Sequence, residues 1–334
     1  MQYKIFKLKF ETPVHFGSER IGTSLENTNV ICHSDTLFSA MCQEILKIYD
    51  EMVLLDFVDM VEDGELQISS LLPYNQNNLF LPKPCLLLER ENNNNELTSS
   101  SIKKKKMKNL EYISINDFQK YIEYLKTGND FDFDEDLYKF CETNTTAKVS
   151  LNTDSDKNNI YYVGNTYFKE GCGLYVLVAY NKVEQIEFFE KILTSLGYSG
   201  IGGKRSSGYG KFNIEDEMFP DPDDTGLEEE KLMYSLLTEQ GDYQETLSVV
   251  SPSDEEIDNN DFDKAFYKLI SRNGYVYSTT YTDENTLVKR KSLSMFQEGA
   301  CFPFEIKGEI KDVSDNGKHP VYKNGKCLKI GVKI

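Results

Sequence analysis

The sequence predicts an α+β protein in two domains. Three observations carry that reading. Strand-like and helix-like patterns interleave through the first two-thirds of the chain, as sheets covered by helices require. The length of 334 residues exceeds one ordinary domain. Residues 215–230, EDEMFPDPDDTGLEEE, are acidic and hold Pro220 and Pro222, the composition of a linker. The predicted domains are therefore 1–214 and 231–334.

Residues 3–10 alternate, with Phe6, Leu8 and Phe10 on one face and Lys7 and Lys9 on the other, as in a half-buried strand. Thr12-Pro13 ends it, and Val14 to Gly22 forms a loop. Ser34 or Asp35 is expected to cap a helix whose apolar positions are Leu37, Met41, Ile45 and Ile48. A second short helix is expected at 52–64 and a strand at Leu66 to Leu72. Prolines at 73, 82 and 84 make the next stretch an irregular connection. The region of about 90–160 reads as an insertion. It holds an asparagine run, the lysines 103–106 and 108, a helix near Asn116 to Leu125, and an acidic segment, Asp130 to Asp136. The lysine run by itself reads as solvated chain.

Regular structure is expected to resume at Gly173. Leu174 to Tyr180 is a buried strand. Asn181 caps a helix, with Glu184 three residues on as in a capping box, and Gly197 sits at its C-cap. The glycine-rich loop, residues 198–212, joins that helix to a last strand at 210–214. The order over residues 1–214 is βαββαβ, that of the ferredoxin-like fold, shared by RRM-type RNA-binding domains. The strands carry no RRM aromatic signature, so the order alone gives no function. Beyond the linker, Leu232 to Leu237, Thr246 to Val250, Tyr275 to Tyr281, Phe302 to Ile310 and Val321 to the end read as strands. Ser251-Pro252-Ser253 opens a helix. This β-rich half is expected to be a degenerate second ferredoxin-like unit.

Hydrophobic residues make up 39 % of the chain, enough for two modest cores. The net charge of −18 argues against general affinity for nucleic acid, so any such contact must use a local basic surface or an assembly. Seven widely spaced cysteines without C-x-x-C read as reduced thiols, and three histidines are too few for a histidine-based metal cluster. The chain opens on a strand pattern rather than a signal peptide, and its longest apolar run, Leu174 to Tyr180, is too short to span a membrane. A cytoplasmic protein without cofactor is the expectation.

The loop YSGIGGKRSSGYGKF stands apart. Five glycines fall between Gly200 and Gly210, with Lys204, Arg205 and Lys211 and no acid. Glycines permit positive φ and close approach of another backbone, and successive N–H groups in such a turn cradle anions. The loop reads as a phosphate grip or as a flexible surface turn; the absence of acids favours the grip. Walker A fails because the lysine comes one place late, and G-x-G-x-x-G fails because Arg205 stands at the third glycine. The loop also follows a helix and precedes a strand, the reverse of both motifs. His15 and His33 are candidates for acid–base cleavage of RNA, or shape a turn and flank a helix cap. His33-Ser34-Asp35 is no hydrolase triad, since adjacent residues of an extended segment point apart.

The loop resembles the glycine-rich loop of the RAMP superfamily, CRISPR-associated proteins built from ferredoxin-like domains. TPVHFG at 12–17, SDTLFSAMC at 34–42, LFLPKP at 79–84, KRKSLSMFQEGACF at 289–302 and HPVYKNGKCLKI at 319–330 follow the order of one RAMP family. That family is the Cas-five-type fourth Csm subunit of type III-A effector complexes, which caps the 5′ end of the guide. The resemblance implies two ferredoxin-like domains and a non-catalytic subunit that binds the 5′ tag of CRISPR RNA. It also implies contacts to the large polymerase-like subunit and to a RAMP backbone subunit. Carried over by motif, the RNA meets His15, Phe16, Gly17, Ser18, Arg20 and Lys83. From the glycine loop it meets Gly200, Gly202, Gly203, Lys204, Arg205, Ser206, Ser207, Gly208 and Tyr209. Phe16 is equally a core candidate. The insertion corresponds to the thumb-like excursion that hooks the RNA. The rival reading is a guide-processing endoribonuclease on the same fold, using His15 or His33.

Overall fold

The computed structural model describes residues 1–17, 25–88, 107–128, 131–150, 159–221, 227–278, 280–283 and 288–334. In the first part of the chain the elements are β1 (Gln2–Phe10), β2 (Phe16–Gly17), β3 (Thr28–Asn29), α1 (Ser34–Ile48), α2 (Glu51–Glu62), β4 (Leu66–Ile68), β5 (Leu72–Asn75), β6 (Asn78–Pro82) and β7 (Tyr112–Ser114). They continue with α3 (Phe118–Thr127), β8 (Cys141–Ser150), β9 (Asn159–Phe168), β10 (Cys172–Tyr180), α4 (Val183–Ser199) and β11 (Phe212–Met218). The remainder holds α5 (Glu228–Thr238), β12 (Tyr243–Thr246), α6 (Asp254–Asn259), β13 (Leu269–Arg272), β14 (Leu293–Phe296), β15 (Cys301–Phe302), β16 (Lys311–Asp312), β17 (Tyr322–Lys323) and β18 (Lys329–Val332). The fold is mixed α and β.

The main sheet runs β11-β1-β10-β5-β6-β7, with β4 also pairing β10, and every pairing in it is antiparallel. β1 lies one strand in from the β11 edge, and both its neighbours come from the far end of this part: Phe6 pairs Val176 and Phe10 pairs Phe212. One sheet face, with Phe6, Leu8 and Val176, packs on α1, α2 and α4. The opposite face, with Ile5, Leu72 and Tyr175, packs on α3 and on Met233, Leu247, Cys301 and Ile330 of the later part. The sheet is therefore covered on both sides, and β1 is not half-buried as its alternation predicts. Lys7, expected in solvent, is buried and meets Asp216 at 3.3 Å. Lys4 is buried between Glu190 and Glu217, each at 2.9 Å.

Several sequence expectations change. The strand predicted over 66–72 divides into β4 and β5, and the following stretch is ordered as β6, hairpinned to β5 around Gln76 at φ 53°. Within the insertion, β7 joins the main sheet, and β8 and β9 pair residue for residue from Cys141↔Phe168 to Ser150↔Asn159. That ribbon was missed because its residues lack an apolar alternation: β8 is almost wholly exposed. The α4 cap is formed by Gln185, whose Oε1 accepts from the backbone of Asn181 and Lys182, not by Asn181 with Glu184. Gly197 lies inside α4, where a Cβ would come 2.4 Å from the Phe212 carbonyl; the C-cap is Gly200 at φ 79°. Residues 232–237, expected as a strand, belong to helix α5: Met233 is buried and Leu232, Leu236 and Leu237 pack beside it, a helical spacing. β11 also runs through Met218 into the expected linker. The helix expected to open at Ser251-Pro252-Ser253 is α6, and there Ser253 is the cap and Glu256 closes a capping box. Tyr275 forms only an isolated bridge with Lys289, so the 275–281 strand is absent among the described residues.

Candidate nucleic-acid interface

The glycine loop leaves α4 at Gly200, whose N–H reaches the Leu196 carbonyl at 2.7 Å. Ile201 is fully buried and pins the loop to the core. Its N–H donates to the Gly210 carbonyl at 2.9 Å, and a Cβ on Gly210 would lie 1.9 Å from the Ile201 oxygen. The loop then docks on the segment after β1. Gly203 N–H donates to the His15 carbonyl at 2.8 Å, and Gly210 N–H to that of Pro13 at 2.9 Å. A Cβ at Gly202 would sit 2.7 Å from the same His15 oxygen. The glycines thus serve close backbone packing. Most of the loop's N–H groups are used inside the protein, so it does not form the open anion cradle that composition predicts. Lys204 turns the chain at φ 60° into a short 3₁₀ turn over Arg205–Ser207, and Ser206 and Ser207 are exposed.

The loop and the β1–β2 connection form one wall of a cleft of about 230 Å³. His15, Phe16, Gly17, Gly202, Gly203 and Arg205 line that wall. The start of α1 supplies His33, Thr36, Ser39 and Gln43, and the later part of the chain closes the far side with Arg272, Tyr275, Arg290 and Lys323. Among the described residues, three arginines, a lysine and two histidines line the cleft, and no carboxylate does. For a chain of charge −18 this is a marked local reversal.

Buried charge beneath the cleft explains how these cations are held. Asp35 is fully buried at the start of α1. Arg272 clamps it with Nε–Oδ2 at 3.0 Å and Nη2–Oδ1 at 2.8 Å, and Lys323 Nζ reaches Oδ2. Burial pushes the Asp35 carboxyl up, but Arg272 and Lys323 outweigh it and hold it well below the usual carboxylate range. One carboxylate cannot compensate two cations. Lys323 shows the imbalance: burial, with Arg290 and Arg272 near, lowers its ammonium to about 8 despite Asp35. Arg290 adds a third cation. Its Nη2 donates to the Asn273 carbonyl at 2.7 Å, while its Nε is buried with no hydrogen-bond partner. A site with excess buried positive charge and an unsatisfied donor gains from binding an anion.

The histidines are built in. His15 Nδ1 meets the Gly164 carbonyl of β9 at 2.8 Å, which fixes its ring against the hairpin. His33 is the N-cap residue of α1, and its Nδ1 pairs with Glu298 Oε1 at 2.7 Å. Glu298 is buried; burial raises its carboxyl, but His33 and Ser70 bring it below its ordinary value.

The predicted site residues divide. His15, Phe16, Gly17, Gly202, Gly203 and Arg205 converge on the cleft. Gly200 and Gly208 shape the loop behind it. Phe16 is 5 % exposed and belongs to the core while its edge faces the cleft. Lys204 lies 4.8 Å over the Tyr161 ring of β9, and Tyr209 is buried with Lys148 at 4.5 Å over its ring. These two pairs fasten the loop to the hairpin. Lys83 is elsewhere: its Nζ donates to the carbonyls of Met107 at 2.9 Å and Lys108 at 3.2 Å. Ser18, Arg20 and the lysines 103–106 lie outside the described residues. Arg272, Arg290, Lys323 and Tyr275 were not assigned from sequence. The signal was present, since KRKSLSMF and VYKNGK put cations amid apolar residues.

Among known proteins, a RAMP superfamily model matches residues 7–213 and a CRISPR Csm4 C-terminal domain model matches 239–332. A Mycobacterium tuberculosis protein named CRISPR system Cms protein Csm4 is 27 % identical over 335 residues, covering 98 % of this chain and 97 % of its own. A Streptococcus thermophilus protein of the same name is 27 % identical over 316 residues, covering 94 % and 93 %. A chain in a structure of a Csm3–Csm4 subcomplex in the type III-A CRISPR-Cas interference complex superposes with TM-score 0.64 at 19 % identity, covering 99 % of each chain. A chain in a Csm1–Csm4 cassette bound to AMPPNP superposes with TM-score 0.57 at 18 % identity, covering 99 % of this chain and 98 % of that one.

Proposed function

This chain belongs to the RAMP superfamily, and on that premise we propose that it is the Csm4 subunit of a type III-A CRISPR effector complex. In this reading it holds the 5′ tag of the CRISPR RNA, bridges the large polymerase-like subunit to the RAMP backbone subunit, and catalyses no reaction itself. The sheet order β11-β1-β10-β5 is what one ferredoxin-like unit would give. The later part is read as a degenerate second unit behind it. The full-length likeness to proteins named Csm4 supports the assignment, as do likenesses to chains in complexes with Csm3 and Csm1.

The observation that carries RNA binding is the cleft lined by Arg205, Arg272, Arg290 and Lys323, with no carboxylate among the described residues that line it. Single-stranded RNA is held through its phosphates by such cations, with bases stacked on aromatic rings. Tyr275 lines the cleft, and Tyr277 is 74 % exposed with the Arg205 guanidinium 5.0 Å from its ring. In the assembled complex, Lys204→Ala with Arg205→Ala should weaken guide retention at every tag sequence, with most of the loss from Arg205. Unchanged retention would remove the assignment. His33 lines the cleft with the buried Glu298 behind it, which keeps the endoribonuclease rival specific. Repeat RNA incubated with the purified protein without metal should stay intact. Specific cuts abolished by His15→Ala or His33→Ala would establish the rival instead.

A further inference from the structure

The corner where α1 turns into α2 carries a second surface. Leu46, Ile48, Tyr49, Met52 and Leu55 are each 41 % to 69 % exposed, five large apolar side chains within ten residues. On α2 the outward positions are Glu51, Met52, Leu55, Asp56 and Asp59, one continuous stripe at helical spacing. Residues 50–65 hold seven acids and no lysine or arginine. Some have work inside the chain. Asp50 caps α2 through Val53 N–H, Glu62 accepts from Ile310 N–H, and Glu65 meets Gln185. Glu51, Asp56 and Asp59 have no ion pair among the described residues. An open groove of about 380 Å³ lies beside the stripe, between α2 and the start of α4, with four acids, Asp56, Asp59, Asp63 and Glu65, and one cation, Lys182, on its walls; Lys182 meets Glu65 at 3.7 Å and leaves the three aspartates to a partner.

We propose that this corner docks a basic amphipathic helix from a neighbouring protein subunit. Apolar side chains of that helix would cover Ile48, Tyr49, Met52 and Leu55, and its lysines or arginines would enter the acidic groove. Charge complementarity selects this occupant. A second copy of this chain would set the same acids against each other, and an anionic lipid surface or RNA would be repelled. Exposed apolar side chains gathered in one patch and rimmed by charge mark such interfaces, whereas scattered ones do not. The corner is also separate from the cleft. Gln43 is the last residue of α1 to line the cleft, and Ile48 ends the helix five residues on, roughly 7.5 Å farther along its axis at about 1.5 Å per residue.

Only the partner's identity as a complex subunit rests on the proposed function, and RNA retention is measured in the same samples so that the two readings can fail separately. The experiment compares hydrogen exchange of residues 46–65 in the free chain and in the assembled complex, and repeats assembly with Met52→Glu plus Leu55→Glu. Both positions are exposed, so thermal unfolding of the free variant should match that of the parent. Protection of 46–65 on assembly is expected, with loss of affinity for one neighbouring subunit of about tenfold or more. That affinity should fall as salt rises, while guide binding through the cleft persists. Equal exchange in the free and assembled states, or undiminished assembly of the variant, would overturn the proposal. So would protection that arises from self-association and appears in the free chain with rising concentration.

Discussion

Replacing Asp35 with asparagine removes one charge and almost no volume. Asp35 has no exposed surface and receives Arg272 through two hydrogen bonds and Lys323 through one. Its neutral isostere would leave two cations in the interior with Arg290 close by. Breaking a buried ion pair from one side typically costs about 3–5 kcal/mol, because the remaining charge is left uncompensated. Arg272 borders the cleft and can recruit water, so the lower half of that range is expected. Unfolding entropy of about 2.1 cal/mol/K per residue converts 3 kcal/mol into a fall in Tm of about 4 °C for a chain of 334 residues. The pH dependence follows from the depressed carboxyl. Its stabilisation is fully present above the unfolded value near 3.9 and is lost as pH falls through the lower folded value. The difference between parent and variant should therefore stay constant from about pH 5 to 7 and shrink only in strong acid. Urea denaturation of the two proteins at pH 5 and pH 7 measures it. Equal stability at both, within about 1 kcal/mol, would show that the two cations do not depend on this carboxylate, and the account of the cleft's charge would fail.

Two further outcomes are expected. Glu245 has no exposure and both carboxyl oxygens lack a hydrogen-bond partner, so burial holds its carboxyl far above the ordinary range. The native state then binds a proton that the unfolded chain releases near pH 4.3, and stability falls with rising pH by about 1.4 kcal/mol per unit across that window. Glu245→Gln should match the parent near pH 4 and exceed it at pH 7.5 by urea midpoint; a parallel decline in both would refute this. Gly210→Ala changes no charge but would place a Cβ 1.9 Å from the Ile201 oxygen at φ 75°. It should cost about 1–3 kcal/mol of stability and displace the loop, weakening guide retention in the assembled complex. Retention equal to the parent's would separate loop geometry from RNA binding.

Much of the first part was legible because its signals are local. The 3.6-residue spacing of Leu37, Met41 and Ile45, the apolar run of β10 and the place of the glycine loop between a helix and a strand appear as read, though the loop's N–H groups turn inward. The misreadings share a cause, which is that long-range contacts set the outcome. Alternation in β1 predicted one wet face, yet the later part of the chain covers it. The apolar residues of α5 suit a strand until Met233 must meet a sheet at helical spacing. The β8–β9 ribbon has little apolar patterning because much of it stands in solvent. In the cleft, the half contributed by the glycine loop and His15 was visible as an unusual acid-free composition. The other half was not, because Asp35 reads as a helix cap until Arg272 and Lys323 arrive from 237 and 288 residues away. Lys83 shows the reverse error: a cation in a suggestive motif that folds onto the carbonyls of Met107 and Lys108.

The central claim is that cations from both parts of the chain share one RNA cleft. Guide affinity of the assembled complex, measured against salt concentration, tests it through Arg205→Ala and Arg290→Ala singly and together. Each cation that neutralises a phosphate of a single strand contributes a slope of about 0.7 in log affinity against log salt. The account predicts that each single variant flattens the slope by about that amount, the double variant by about twice as much, and that all three do so at every tag sequence. A slope unchanged by Arg290→Ala would contradict it, for the cleft would then be a pocket between two parts of the protein and not a grip on the guide.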